Sequence, residues 1–335
     1  MWSGMTWFEQ LTGCSEDSPE AVRRAIHVEG DRMTSTANGR VFGCGRLSTP
    51  MLGQLWQEVT ALGGPSRSNT VRERVADVRL LHADAGNAGA MFQVASQFNL
   101  LEMVSPDVSP EDGVGRYELD HTQGPACAIA AGAGTIYRNY FAEFDSGVGQ
   151  TKLRQMDCLK ELGGALGNEG GRLWRMENGY ALASAAGLEA IAEDLAVCDE
   201  SQRHALRSLL RVGVHDDVQV TLEGCEHHVS QIYCSALPVR YSEHSAVSWE
   251  PFARLILEAA YDATLCAARR NMARTGSRRV FLTLLGGDAF GNDRTWIFDA
   301  MRAALQLHAG AGLEVEVVSY QRSNPHLTEW LELFA

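Results

Sequence analysis

VFLTLLGGDAFGNDRTWIFDAMRAAL (residues 280–305) sets the fold. A short apolar run, a glycine-rich turn and an amphipathic segment follow one another without a break. Ile297, Ala300, Met301, Ala304 and Leu305 recur at i, i+3, i+4, i+7 and i+8, which is one face of a helix. The same alternation holds on both sides. VSQIYCSALPV (229–239) reads as a strand. Phe252, Leu255, Ile256, Ala259, Ala260 and Ala263 make a helix within 250–272, and EVEVVSY (314–320) reads as a last strand. Short apolar strands separated by helices predict a three-layer α/β domain with a parallel or mixed central sheet. In such sheets ligands bind beyond the carboxyl ends of the strands, where this glycine-rich turn falls. Gly286 and Gly287 allow a tight turn and a close backbone approach, and amides near a helix start favour an anion. The spacing matches neither GxGxxG nor GxxxxGK[ST]. A bare strand-to-helix turn, capped by Asn292 or Asp293, is the alternative reading.

Working outward, 335 residues suffice for one large domain, and 45% hydrophobic with 21% charged residues is ordinary for a globular chain. A formal charge of −13 argues against nucleic acid as the main partner. No apolar run approaches the roughly 18 residues of a membrane span. MWSGMTWFEQLTGC lacks a basic start and an apolar signal core. Eight scattered cysteines without a CxxC pair read as reduced thiols in a cytoplasmic setting. CEHH (225–228) has metal-ligand residue types. Neighbours on a strand point to opposite faces, however, so no metal and no cofactor is assigned.

Further upstream, helical patches fall near 19–28 and 49–62, and GPSRSNT (64–70) reads as a loop. VADVRLLHAD (75–84) and MFQVASQFN (91–99) read as strands, and GPACAIAAGAGTIYRNYF (124–141) as one helix with Pro125 in its first turn. Residues 150–211 read as a mainly helical insert, residues 1–65 as an N-terminal extension, and VQVTL (218–222) as another strand. Between Asn99 and Gln123 lies an acidic loop carrying Glu102, Asp107, Glu111, Asp112, Glu118 and Asp120. Carboxylates repel phosphate, so beside an anion loop they make sense if one acts on a sugar near the phosphates. Helix capping by Asp120 and Thr122, and a solvated loop for Glu111 and Asp112, are the ordinary alternatives.

The pair of motifs, LTLLGGDAFGND with FQVASQFN and the block SPEDGVGRYELDHTQGPACAIAAGAGTIYRNYF, resembles the macrodomain superfamily in its poly(ADP-ribose) glycohydrolase branch. The block is also similar to ADP-ribosylhydrolases that remove ADP-ribose from arginine, including on ubiquitin. The resemblance covers about residues 70–145 and 215–320. It departs from the glycohydrolases in lacking their GGG followed by QEE.

The resemblance implies a single macrodomain-like domain that binds ADP-ribose or an ADP-ribosylated protein. It implies that Asn99 contacts the scissile ribose and that Asp120 is the main catalytic carboxylate, seconded by Glu111 or Asp112. Gln123 would line the site. Gly286, Gly287, Asp288, Ala289, Phe290, Gly291 and Asn292 would wrap the diphosphate, with Asp84 at the adenine amine and Tyr320 stacking. The implied activity is hydrolysis of an N-glycosidic bond to arginine. A non-catalytic ADP-ribose reader and a hydrolase of polymer or free ADP-ribose derivatives are the competing readings.

Overall fold

The computed structural model describes residues 4–63, 67–144 and 146–332. The predicted loop at 64–70 therefore lies partly outside the described residues. At the centre is a seven-stranded mixed sheet. Its strands, in chain order, are β1 (Arg46–Ser48), β2 (Thr70–Val75), β3 (Met91–Ala95), β4 (Gly213–Gln219), β5 (His228–Cys234), β6 (Arg279–Leu282) and β7 (Glu314–Ser319). The spatial order is β1-β4-β5-β3-β6-β7-β2. β5, β3, β6, β7 and β2 run parallel, while β1 and β4 are antiparallel to their neighbours.

Helices cover both faces, as the alternation of strand and helix requires. The thirty-residue helix Ala246–Thr275 lies under one face, where Gln93 of β3 donates to Thr264. Helix Arg294–Leu307, the crossover between β6 and β7, packs beside it. On the other face Gln231 of β5 reaches the Cys127 carbonyl, and Phe92 of β3 stacks on His82 with ring centroids 3.8 Å apart. No helix among the described residues is long and apolar enough to cross a membrane.

Several expectations change: MFQVASQFN is a strand only to Ala95, the strand expected at VQVTL is Gly213–Gln219, and the helix expected over 19–28 ends at Ala25, where a strand begins. VADVRLLHAD is not a strand: Val78–Ala83 is a helix, with Asp77 accepting from the Arg79 amide as its cap. Val78, Leu81 and His82 form its buried face at helical spacing, and burial holds His82 down at about 4, so it packs as a neutral ring. The strand of this region is the preceding TVRERV, β2, which pairs only with β7. The helix at 124–141 is two, Gln123–Ala130 and Gly132–Tyr140, parted at Ala131 (φ −116°, ψ 52°). Residues 150–211, expected to be mainly helical, hold three helices, Lys160–Leu166, Ala185–Val197 and Glu200–Ser208, and also an antiparallel hairpin, Trp174–Glu177 with Tyr180–Ala183. Of the N-terminal extension, Ile26–Gly43 forms a three-stranded sheet, β1 joins the edge of the central sheet, and helix Leu52–Ala61 packs on Ala246–Thr275.

Candidate catalytic cleft

β3 and β6 pair only at Met91–Phe92 with Val280–Phe281 and then part. Side chains take up the backbone groups left where the strands separate. The Gln123 amide donates to the Gln93 carbonyl (2.8 Å) and accepts from the Ala95 N–H (2.9 Å). The Gln93 side chain accepts from the Thr283 N–H. A cleft opens beyond this gap, at the carboxyl ends of β5, β3 and β6, enclosing about 700 Å³ of space including its open mouth. Residues 95–97, 102–104, 120, 122–125 and 283–290 line it, with Tyr180, Ala236 and Tyr241. The glycine-rich turn and the start of the acidic block are thus brought to one site.

The glycine-rich wall is braced from behind. Gly286 takes the left-handed conformation (φ +72°), and a Cβ there would stand 2.4 Å from the Ala236 side chain. The Tyr261 hydroxyl donates to the Thr283 carbonyl and accepts from the Leu285 N–H. Asn292 ties the turn closed, donating from its amide nitrogen to the Leu237 carbonyl (2.8 Å). Arg240 donates to the Asp288 carbonyl (2.7 Å), and its N–H donates to the Phe290 carbonyl. Asp293, not Asn292, caps the following helix, and the Thr295 hydroxyl and N–H, both donating to it, hold its carboxyl below the usual range. Phe290, Tyr180 and Tyr241 form an aromatic trio at the cleft, with centroids 5.2–5.6 Å apart. The Tyr180 hydroxyl donates to the Met103 carbonyl (2.6 Å), fixing the insert hairpin to the opposite wall.

Across from this wall the chain turns sharply at Gln97–Leu101, with Leu100 in the left-handed region (φ 65°). This conformation is costly for leucine, and three contacts hold it. The Gln97 N–H donates to the Leu101 carbonyl, the Asn99 side chain accepts from the Leu101 N–H, and Gln150 donates to the Asn99 carbonyl. The turn delivers Glu102 to the floor of the cleft, where its side chain is 1% exposed. Arg138, wholly buried on helix Gly132–Tyr140, faces it at 3.3 Å. The same guanidinium donates to the Leu100 carbonyl (3.0 Å) and the Tyr233 hydroxyl, and lies 3.8 Å over the Tyr233 ring. Burial pushes the Glu102 carboxyl up to about 7, with Arg138 and the Tyr117 hydroxyl pulling the other way. Desolvation outweighs the ion pair because the contact is a long one. The result is a carboxyl able to hold or release a proton near neutrality, which suits acid–base work.

Asp120 and Gln123 also line the cleft. Asp120 is half-buried at its mouth, and its Oδ1 accepts from the Thr122 N–H at 2.8 Å. Gly286, Gly287, Asp288, Ala289 and Phe290 line the opposite wall. Gly291 and Asn292 stand behind it, Gly291 against Arg240 and Asn292 in the turn's own hydrogen bonds.

Five other site residues are not brought there. Glu111 and Asp112 are exposed on a 3₁₀ turn, and Asp112 is held below the usual range by Ser109, whose N–H and hydroxyl both donate to it. Asp84 caps the turn Ala85–Asn87 ahead of β3, at the end of the strand away from the cleft. Tyr320 follows β7 and is 60% exposed, outside the lining. Asn99 is fully buried behind the floor, and its amide donates to Gln155, so it shapes the turn and does not face the cleft. Glu102, Arg138, Tyr180 and Tyr241 are the additions. The usable signal for Glu102 was its place in LLEMV, an acid inside an apolar run. In CEHH, His227 meets the His82 carbonyl (2.8 Å), Cys225 lies 3.7 Å from the Ala83 carbonyl, and His228 packs on Gly43, so the donors diverge.

The buried pair carries a prediction. Arg138→Met leaves Glu102 without its cation and destabilises the fold by roughly 3–5 kcal/mol at neutral pH. The loss grows with pH. Glu102 sits above its ordinary value of 4.5 in the folded chain and rises further without the guanidinium. The folded chain then keeps a proton that the unfolded chain releases, so stability falls as pH climbs from 4.5 through the folded value. Thermal unfolding at pH 5.5 and 8.5 reads the difference: the gap from wild type should be wider at 8.5.

The chain has no matching family model and no matching curated relative. Solved structures similar to it include poly(ADP-ribose) glycohydrolase from Deinococcus radiodurans in complex with ADP-ribose, at 13% identity over 87% of this chain and 95% of that one, TM-score 0.48. Poly(ADP-ribose) glycohydrolase from Thermomonospora curvata is also similar, at 16% identity over 93% of each chain, TM-score 0.46. The same Thermomonospora enzyme bound to the inhibitor ADP-HPD aligns at 15% identity over 91% of each chain, TM-score 0.44.

Proposed function

We propose that this chain hydrolyses the glycosidic bond between ADP-ribose and a protein side chain, and that the side chain is arginine, with ubiquitin as one carrier. The observation that supports it best is the meeting, in one cleft, of the glycine-rich turn and two carboxyls in unlike settings, Glu102 buried on the floor and Asp120 at the mouth. Two carboxyls whose environments set them apart are the usual equipment for sugar chemistry. The cleft lining contains three carboxyls, with Asp288 the third, and no basic side chain. A diphosphate would therefore be held by backbone amides of the glycine-rich turn. The acids would favour the positive charge that develops at the anomeric carbon. The flat faces of Tyr180, Tyr241 and Phe290 suit the sugar and base. In a passive binding module Glu102 would serve only as the partner of Arg138.

In the reaction, water attacks the anomeric carbon while the carbon–nitrogen bond breaks. A carboxylate takes the water's proton, and the guanidine, strongly basic, leaves as guanidinium after gaining one. Holding ADP-ribose by its diphosphate turns binding into orientation of that carbon. A reducing, cytoplasmic setting belongs to the same proposal, supported by the scattered cysteines.

The test is release of free ADP-ribose from arginine-ADP-ribosylated ubiquitin, run beside Asp120→Asn with calorimetric ADP-ribose binding on both. Release by wild type, a loss of about 10²-fold or more in Asp120→Asn, and binding by both is the expected outcome. Wild-type turnover in Asp120→Asn removes that residue from the chemistry. Binding without release from arginine, ester or polymer substrates leaves a reader.

A further inference from the structure

On the opposite side of the helix layer from the sheet, three ligand-type side chains meet in the interior. Asp262 and Cys266 are one turn apart on helix Ala246–Thr275, and His308 follows the end of helix Arg294–Leu307. All three are buried, with 6%, 0% and 5% exposure. Their donor atoms converge: His308 Nε2 to Asp262 Oδ1 2.8 Å, Cys266 Sγ to Asp262 Oδ1 3.5 Å, and Cys266 Sγ to His308 Nε2 3.7 Å. We propose that these three residues form a divalent transition-metal site, with zinc as its ion, that pins the two helices together.

The geometry argues for it. Ligands at about 2.0–2.3 Å from a tetrahedral zinc stand roughly 3.3–3.6 Å from one another. Both distances to sulfur are already close to that, and only the histidine–aspartate contact must open by about half an ångström. The outer contact of the aspartate is also in place. Trp56 donates to the other aspartate oxygen, Oδ2, at 2.9 Å, which fixes the carboxylate and leaves Oδ1 for the ion. Arg269 stands 3.5 Å from His308 Nδ1, too far for a firm hydrogen bond, and also donates to the Gly63 carbonyl.

The chemistry of the set chooses the ion. One thiolate, one imidazole and one carboxylate suit zinc, whereas calcium and magnesium prefer all-oxygen sites. Binding would release the Cys266 thiol proton to solvent and put two negative ligands against a charge of +2. Burial and the adjacent Asp262 carboxylate otherwise push that thiol far above its usual range. Three protein ligands leave a fourth position for water. The site is separate from the cleft and independent of the activity proposed above.

The experiment uses the untagged full chain, dialysed against metal-free buffer and then titrated with zinc or cobalt(II). About one zinc per chain by elemental analysis is expected, with a sulfur-to-cobalt charge-transfer band in the near ultraviolet. Cys266→Ser should lose the band and hold less than about a tenth of the zinc, while Cys225→Ser, the control for the CEHH stretch, keeps both. His308→Gln and Cys266→Ala serve if the serine variant fails to fold. Three results overturn the site: a folded wild type that takes up no stoichiometric zinc, a cobalt spectrum without the sulfur band, or a band that vanishes in Cys225→Ser and survives in the folded Cys266 or His308 variants.

Discussion

Glu102→Gln should lower kcat by about 10³-fold and leave ADP-ribose affinity within about twofold of wild type. Glutamine preserves the size of the side chain and an oxygen for Arg138 to donate to, so the floor of the cleft should keep its shape. What it removes is the exchangeable proton. The pH profile then separates two roles. If the carboxylate takes a proton from water, kcat/KM rises with pH through about 7, the value to which burial lifts Glu102, and levels above it. If the carboxyl gives its proton to a departing ribose oxygen, as a polymer substrate would require, the limb runs the other way. The first limb is expected with arginine-linked ADP-ribose, and in either case Glu102→Gln should flatten it. Steady-state kinetics from pH 5.5 to 9 on both proteins, with calorimetric binding, is the check. A variant that turns over at the wild-type rate would take Glu102 out of the chemistry.

The second large effect is a single methyl group. A Cβ on Gly124 would stand 2.0 Å from the Ala95 carbonyl oxygen, backbone against backbone, with Glu102 Cγ at 3.2 Å. No rotamer change relieves such a contact, so Gly124→Ala must push the start of helix Gln123–Ala130 away from β3. The neighbouring Gln123 would then lose its two hydrogen bonds to the strand. Overpacking of this kind costs about 1–3 kcal/mol, and breaking the bridge adds about 1 kcal/mol more. Urea unfolding should show a lower midpoint at unchanged slope, and ADP-ribose affinity should fall at least about tenfold. Gly164→Ala is the control: no heavy atom lies within 4 Å of its added Cβ, and it should be close to neutral.

The alternation of β6, its crossover helix and β7 was plain in the sequence because most apolar positions there serve the core. β2 was harder. TVRERV carries charges on an edge strand, where Arg72 pairs with Glu316, and edge strands use charge to discourage further pairing. The helix after it looked like a strand because His82, polar on paper, is packed as an apolar ring. At the site, the glycine-rich turn was legible from local composition, while Asp120 was singled out by the resemblance alone and by composition read as a cap. Glu111 and Asp112 were not separable from Glu102 by residue type, since only the turn at Leu100 decides which acid goes inward. Tyr180 comes from the insert and Tyr241 from the loop after β5, and each finds the cleft through contacts far away in sequence. Asn99 was read as the end of a strand, but β3 stops at Ala95, and the turn beyond it uses the Asn99 side chain.

The insert leaves and rejoins the body at one point. The Arg211 N–H donates to the Cys158 carbonyl, and the Cys158 N–H donates to the Phe98 carbonyl. The excursion between them is a loop closed by that knot and tied down again at its hairpin, where the Phe98 N–H donates to the Gly179 carbonyl and Tyr180 reaches the cleft. Such a loop is a natural unit of exchange. Another excursion spliced at the same knot could present a different side chain to the same Glu102 without disturbing the order of strands. It is not a unit of deletion, because Leu162, Leu188, Ile191 and Leu195 belong to the common core. A lineage of such chains would be expected to vary its substrates by trading this piece, while always keeping one.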